Sequence, residues 1–283
     1  MALRPARVVG CLAVVLAVLL VAVTGVYLLL RDTGAASPVP GQQRCVATAS
    51  PGSVSLDLDQ AHFASIIVGL SVRRGLPPRA ASIAMATVYQ ETGIRNLDGG
   101  DRDSVGLFQQ RPSQGWGTPK QLQDPYYATG KFYDALVKVD DWESDDINDV
   151  AQKVQRSGYP EAYRDHETDG RILASTLTGQ TVRGFTCLER SGSDGDARAL
   201  VTSLNKTFGS TGADRDGSVV TVEADSVKLA WAYASYAVAN SEAFGLVTAD
   251  VGGKRWSTAT YDLPAWVDAE PKTSATTVTL TVR

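Results

Sequence analysis

Histidine is almost missing from this chain: His62 and His166 are the only two in 283 residues. A metal site built on histidine is thereby all but excluded, and His62, on an apolar stripe at helical spacing, reads as a packed side chain. Positive charge is also short, with 27 Lys and Arg against 31 Asp and Glu, a formal net charge of -4. Setting aside Arg4 and Arg7, with Arg31 and Asp32 cancelling, leaves -6 on the remainder. That balance argues against nucleic acid as a partner and against a basic clamp for wall polymers. An aspartate-rich loop holds Asp98, Asp101 and Asp103 but lacks the closing glutamate of a calcium loop. No metal and no cofactor is therefore expected.

What the chain does have begins with an apolar run over residues 8–30, flanked by Arg4 and Arg7 before it and by Arg31-Asp32 after it. It exceeds the roughly 7 to 15 residues of a signal-peptide core and matches the about 20 residues that cross a bilayer. The expectation is a single-pass protein of the cell membrane, held by this N-terminal helix, with everything after residue 32 outside the cytoplasm. Cleavage after Ala36 is the rival reading. Cys11, at the start of the run, reads as one more apolar residue. Residues 33–56, rich in Gly, Ala, Ser and Pro, read as a linker.

The richest stretch lies between Tyr89 and Gly117. Prolines at 77 and 78 and Gly93 bracket an apolar helix, which puts Glu91 in its last turn and in line with Thr87 and Ile83. A half-buried carboxylate there suits general acid catalysis. A second carboxylate, Asp101 or Asp103, is available as base or nucleophile. Gln109, Gln110 and Trp116 suit a glycan cleft, because sugars stack on aromatic rings and hydrogen-bond to amides.

Glu91-Thr92, then Asn96, then Ser104-Val105-Gly106-Leu107-Phe108-Gln109 resembles the motif order of the lytic transglycosylase and goose-type lysozyme-like family, closest to membrane-anchored envelope proteins of actinobacteria. The likeness covers roughly residues 58–175. It implies a mainly α lysozyme-like fold and cleavage of the β-1,4 bond of peptidoglycan strands. It also implies one glutamate, Glu91, acting first as acid and then as base, with Ser104, Gly106 and Phe108 beside the substrate. Where such relatives carry a tyrosine near the catalytic glutamate, this chain has Gln155, which joins the expected substrate contacts. The alternative is an inactive glycan-binding or scaffold module of the cell envelope, serving partner proteins of wall synthesis.

Cys45 and Cys187 bracket the region of resemblance, and in an oxidising space they are expected to pair. The expected organisation is a tail and anchor over residues 1–32, the linker, and a lysozyme-like catalytic domain over residues 57–189, its first helix capped by Asp59. A linker over residues 190–196 and a small α+β domain over residues 197–283 complete it.

Overall fold

The computed structural model describes residues 42–272 and 274–283 of the protein. Within it, Gln43–Arg283 forms one compact unit. The chain starts with the hairpin β1 (Arg44–Ala49) and β2 (Gly52–Leu56). Helices α1 (Leu58–Arg73) and α2 (Pro78–Thr92) follow, then the short α3 (Pro119–Leu122), α4 (Pro125–Leu136), α5 (Ile147–Gln155) and α6 (Glu167–Leu177). Strand β3 (Phe185–Leu188) returns to β1 and completes a three-stranded antiparallel sheet of order β2-β1-β3.

The second half runs α7 (Ala197–Phe208), β4 (Asp214–Asp216), β5 (Val219–Glu223), α8 (Val227–Ala239) and α9 (Ser241–Phe244). Strands β6 (Leu246–Val251), β7 (Lys254–Ser257), β8 (Val267–Asp268) and β9 (Thr277–Val282) follow. They build a six-stranded antiparallel sheet of order β4-β5-β9-β6-β7-β8.

Two expectations are corrected. The fold is not a mainly α domain followed by a small α+β one, because one antiparallel sheet frames the helical half and a second lies against it. The missed hairpin lies in the expected linker. Its alternation of buried Cys45, Ala47 and Ala49 with Arg44, Val46 and Thr48 uses small residues, so composition hides the period of two. The expectation of a single-pass membrane protein is corrected as well: among the described residues no helix is long and apolar enough to cross a membrane. Residues 8–30 and Cys11 lie outside the described residues.

At the centre lies α2, buried continuously from Ala80 to Val88. Its small side chains let α6 approach so closely that a Cβ at Gly170 would stand 2.7 Å from the Ser82 carbonyl oxygen. Only glycine permits that contact. Helix α1 is capped by Asp57 rather than Asp59, through a capping box with Gln60.

The two halves meet at α1 and α8. Gly69 of α1 faces Thr207 and Phe208 of α7. Asn240, at the end of α8, donates to Ser65 and bonds His62, so this histidine is a packing group. Helix α8 is buried from Ala230 to Ala239 and packs against β3 of one sheet and β6 and β9 of the other. Residues 190–196 lie pinned within the unit. Ser193 donates to the Glu242 carbonyl and accepts at its own carbonyl from Arg283. Glu189, fully buried, takes the Arg283 guanidinium and the hydroxyls of Ser191 and Thr258. Burial works against the Glu189 charge, and these partners outweigh it, holding the carboxyl below the usual glutamate range.

Cys45 and Cys187 form a disulfide across directly opposed positions of β1 and β3, 142 residues apart in sequence. It closes the loop that carries α1 to α6. By loop-closure entropy such a bridge contributes up to about 5 kcal/mol. Cys45→Ser should therefore lower the melting temperature by several degrees or more in calorimetry, and peptide mapping without reductant should recover the linked pair from the unmodified protein.

Candidate active site

Helix α2 ends where Gly93 takes the left-handed conformation, its N–H bonding the Tyr89 carbonyl. This stop leaves Glu91 half-buried on the last turn. Thr92 then ties the helix end to the next stretch. Its hydroxyl donates to the carbonyls of Val88 and Leu107 and accepts from the Arg95 N–H.

Two side chains converge on one oxygen of Glu91. The Tyr163 hydroxyl donates to Oε1 at 2.7 Å, and the Gln155 amide donates to the same atom at 3.2 Å. The Gln155 amide also donates to the Phe108 carbonyl at 2.7 Å, which fixes its orientation. Burial, and next the adjacent carboxylate, push the Tyr163 phenol far above its ordinary value, so it stays protonated and acts as a donor. Oε2 of Glu91 makes no hydrogen bond among the described residues. The carboxyl group is thus held by one oxygen and open at the other.

Tyr163 comes from a single 3₁₀ stretch, Ala162–His166, just before α6. A tyrosine does approach the glutamate, but from eight residues beyond Gln155 rather than from its position. The available signal was one of two tyrosines, Tyr159 and Tyr163, in the polar run from 159 to 166.

The other expected residues divide by role. Gly106 has φ +78, and a Cβ there would lie 2.3 Å from the Leu122 carbonyl oxygen. Its N–H bonds the Leu97 carbonyl, so it brings the 97–106 loop against α3. Ser104 is buried and donates to the Asp101 carbonyl and to Gln109 Oε1, while Gln109 donates to the Gly106 carbonyl. These two stiffen the loop from within. Phe108 is fully buried and stacks on Phe132 at 4.6 Å. Gln110 is also buried and donates to the Ala128 carbonyl. Both face the core, which places them away from a ligand.

Among the described residues neither aspartate considered as a second carboxylate makes a hydrogen bond or ion pair to Glu91. Asp101 is exposed and lies 3.7 Å from Arg102. Asp103 accepts from the Ser113 N–H at 2.7 Å, from Arg111 at 2.8 Å and from the Ser113 hydroxyl at 3.0 Å. Those bonds, led by the Ser113 backbone, hold its carboxyl far below the usual range. It is a loop anchor. Among the described residues no group of His, Cys, Asp and Glu is placed to hold a metal ion.

Beside Gln155 opens a cleft of about 950 Å³, lined by Trp116 and Gln155 together with the ends of α4 and α5. Trp116 is half-buried, and its carbonyl accepts from Tyr127. Glu91 does not line this cleft; Gln155 is the side chain that both borders it and touches the carboxylate.

The chain matches no protein-family model and no curated protein sequence. One carboxyl with an engaged oxygen and a free one suits proton transfer to a ligand that reaches Oε2, and the neighbouring cleft touches this carboxyl only through Gln155.

Gly106 carries the positioning of the whole loop. Gly106→Ala adds a side chain at positive φ and drives it into the Leu122 carbonyl, at a cost of at least about 2 kcal/mol. For a unit of this size that corresponds to a fall of about 4 to 8 °C in melting temperature, read by thermal denaturation.

Proposed function

We propose that this protein cleaves the β-1,4 bond of peptidoglycan strands by general acid catalysis, with Glu91 as the acid. The observation that carries the reading is the unequal treatment of the two Glu91 oxygens. Oε1 is engaged by Tyr163 and Gln155, both donors, which leaves Oε2 as the oxygen from which a proton would be passed to a ligand. A glycosidic oxygen within reach of Oε2 would take that proton as the bond to the sugar breaks, leaving an oxocarbenium-like centre and a Glu91 carboxylate. The carboxylate then removes a proton from the attacking hydroxyl. If that hydroxyl belongs to the sugar itself, the product is an anhydro-sugar; if it is water, the product is a hydrolysed reducing end.

Tyr163 and Gln155 serve the second half of this cycle. Two donors on Oε1 stabilise the carboxylate formed once the proton has left, which is where such bonds are strongest. Asp103 is already engaged by Arg111 and Ser113 as a loop anchor, which favours the single-glutamate route over a hydrolysis that uses Asp103 as second carboxylate. The disulfide fits an oxidising compartment, where peptidoglycan is met.

A second reading, an inactive glycan-binding module, draws on the same Gln155 bond. An amide resting on the carboxylate can hold it as a fixed binding group as well as a spent acid.

Product analysis by mass spectrometry of purified peptidoglycan incubated with the protein separates the two. Glu91→Gln should reduce cleavage at least about a hundredfold, since general acid catalysis is typically worth 10² to 10⁴ or so. Tyr163→Phe keeps the ring and removes one donor to the carboxylate, which should cost roughly 10- to 100-fold in rate. No cleavage by the unmodified protein would favour the binding module. Loss in Asp101→Asn as complete as in Glu91→Gln would overturn the single-acid mechanism.

A further inference from the structure

Of the two histidines, His62 is a packing group, and His166 takes no part in the proton transfer argued above. Its place in the fold is nonetheless specific. His166 closes the 3₁₀ stretch Ala162–His166 that carries Tyr163. A 3₁₀ helix turns once in about three residues, so side chains three apart eclipse one another, and Tyr163 and His166 leave the backbone on the same side. Helix α2 lies on that side.

Three consecutive residues of α2 receive the segment. Tyr163 donates to Glu91 Oε1 at 2.7 Å, His166 bonds through Nε2 to Gln90 Oε1 at 3.1 Å, and the same imidazole stacks on Tyr89, with ring centres 4.9 Å apart and planes inclined by 12°. An amide oxygen only accepts, so Nε2 carries the hydrogen. Asp169, half-buried on the first turn of α6, completes the group. Burial pushes its carboxyl above the usual range and His166 draws it back, while burial and then Asp169 push the Tyr89 phenol up.

The front of the segment is fastened separately. Buried Asn148 of α5 donates to the Pro160 carbonyl at 2.9 Å and accepts from the Arg164 N–H at 3.1 Å. Tyr163 is held between that tie and His166. An O–H···O bond spans only about 2.5 to 3.0 Å, so a backbone drift of about half an ångström is enough to lose it. His166 itself makes no hydrogen bond or ion pair with Glu91 among the described residues. Resting on the reading of Glu91 as the acid, we propose that His166 is a positioning residue for it: the stack on Tyr89 and the bond to Gln90 lock the back of the 3₁₀ stretch to α2, and so hold the Tyr163 hydroxyl on Glu91 Oε1.

The test uses the full-length protein with isotopic carbon at the tyrosine ring Cζ, observed by NMR. Tyr163 is the signal missing from Tyr163→Phe. Glu91→Gln exchanges a charged acceptor for a neutral one and marks the direction in which that signal moves as the bond weakens. His166→Ala should move the signal the same way. His166→Phe keeps a ring on Tyr89 and gives up the bond to Gln90, so it should fold as the unmodified protein does and move the signal in that direction by a smaller amount. In cleavage assays His166→Ala should lower kcat about tenfold with KM within about twofold, since small displacements of reacting groups are felt in the chemical step. The same substitution added to Tyr163→Phe should cost less than about twofold, because the two residues act as one unit. A Tyr163 signal left in place by His166→Phe, or by a folded His166→Ala, overturns the proposal even if the melting temperature falls, since packing alone would account for that fall. Losses in kcat that multiply overturn it too. Absence of cleavage by the unmodified protein defeats the reading of Glu91 as the acid, and the Tyr163 signal still decides the role of His166.

Discussion

A helix of small residues can be surrounded on all sides, and the rest of this structure depends on that property of α2. Alanines and serine at positions 80–86 leave α2 thin enough for α6 to press its Gly170 onto the backbone. A thicker helix would hold α6, and the Tyr163 segment leading into it, farther off. The Tyr163 hydroxyl reaches Glu91 Oε1 because the two backbones are this close. Packing density therefore sets the geometry of the carboxyl group as well as the stability of the core.

The far end of the same arrangement is set by hydrogen bonds. Thr92 fastens the helix end to the Leu107 carbonyl, and Gln155 fastens α5 to the Phe108 carbonyl one residue later. Two neighbouring backbone carbonyls thus fix the glutamate's helix and its amide partner in one frame. Phe108 and Gln110 supply the rigid base beneath them from the core, which is why residue types suited to sugars are found buried here.

Much of the helical half was legible in the sequence, since α2 is announced by its prolines and by Gly93, and α4 by Asp124-Pro125. The hairpin β1-β2 was not, because β1 buries only small side chains, the hairpin lies in a stretch rich in Gly, Ala, Ser and Pro, and β1 finds one of its partners some 140 residues later. In the second half, α7, β5, β6 and β9 follow from apolar spacing and from the turn at Gly252-Gly253. At the site, Glu91 and Gln155 were visible as residues, yet their bond was not, and Tyr163 was concealed in a polar stretch.

Helix α8 has a consequence for how the molecule comes apart. It lends its surface to β3 on one side and to β6 and β9 on the other, so neither sheet owns a finished interior without it. Partial opening of either sheet strips water-excluded alanine and tryptophan surface from the other. Loss of structure in the two halves is thermodynamically linked, and the unit behaves as one cooperative element rather than as a helical body with a detachable appendage.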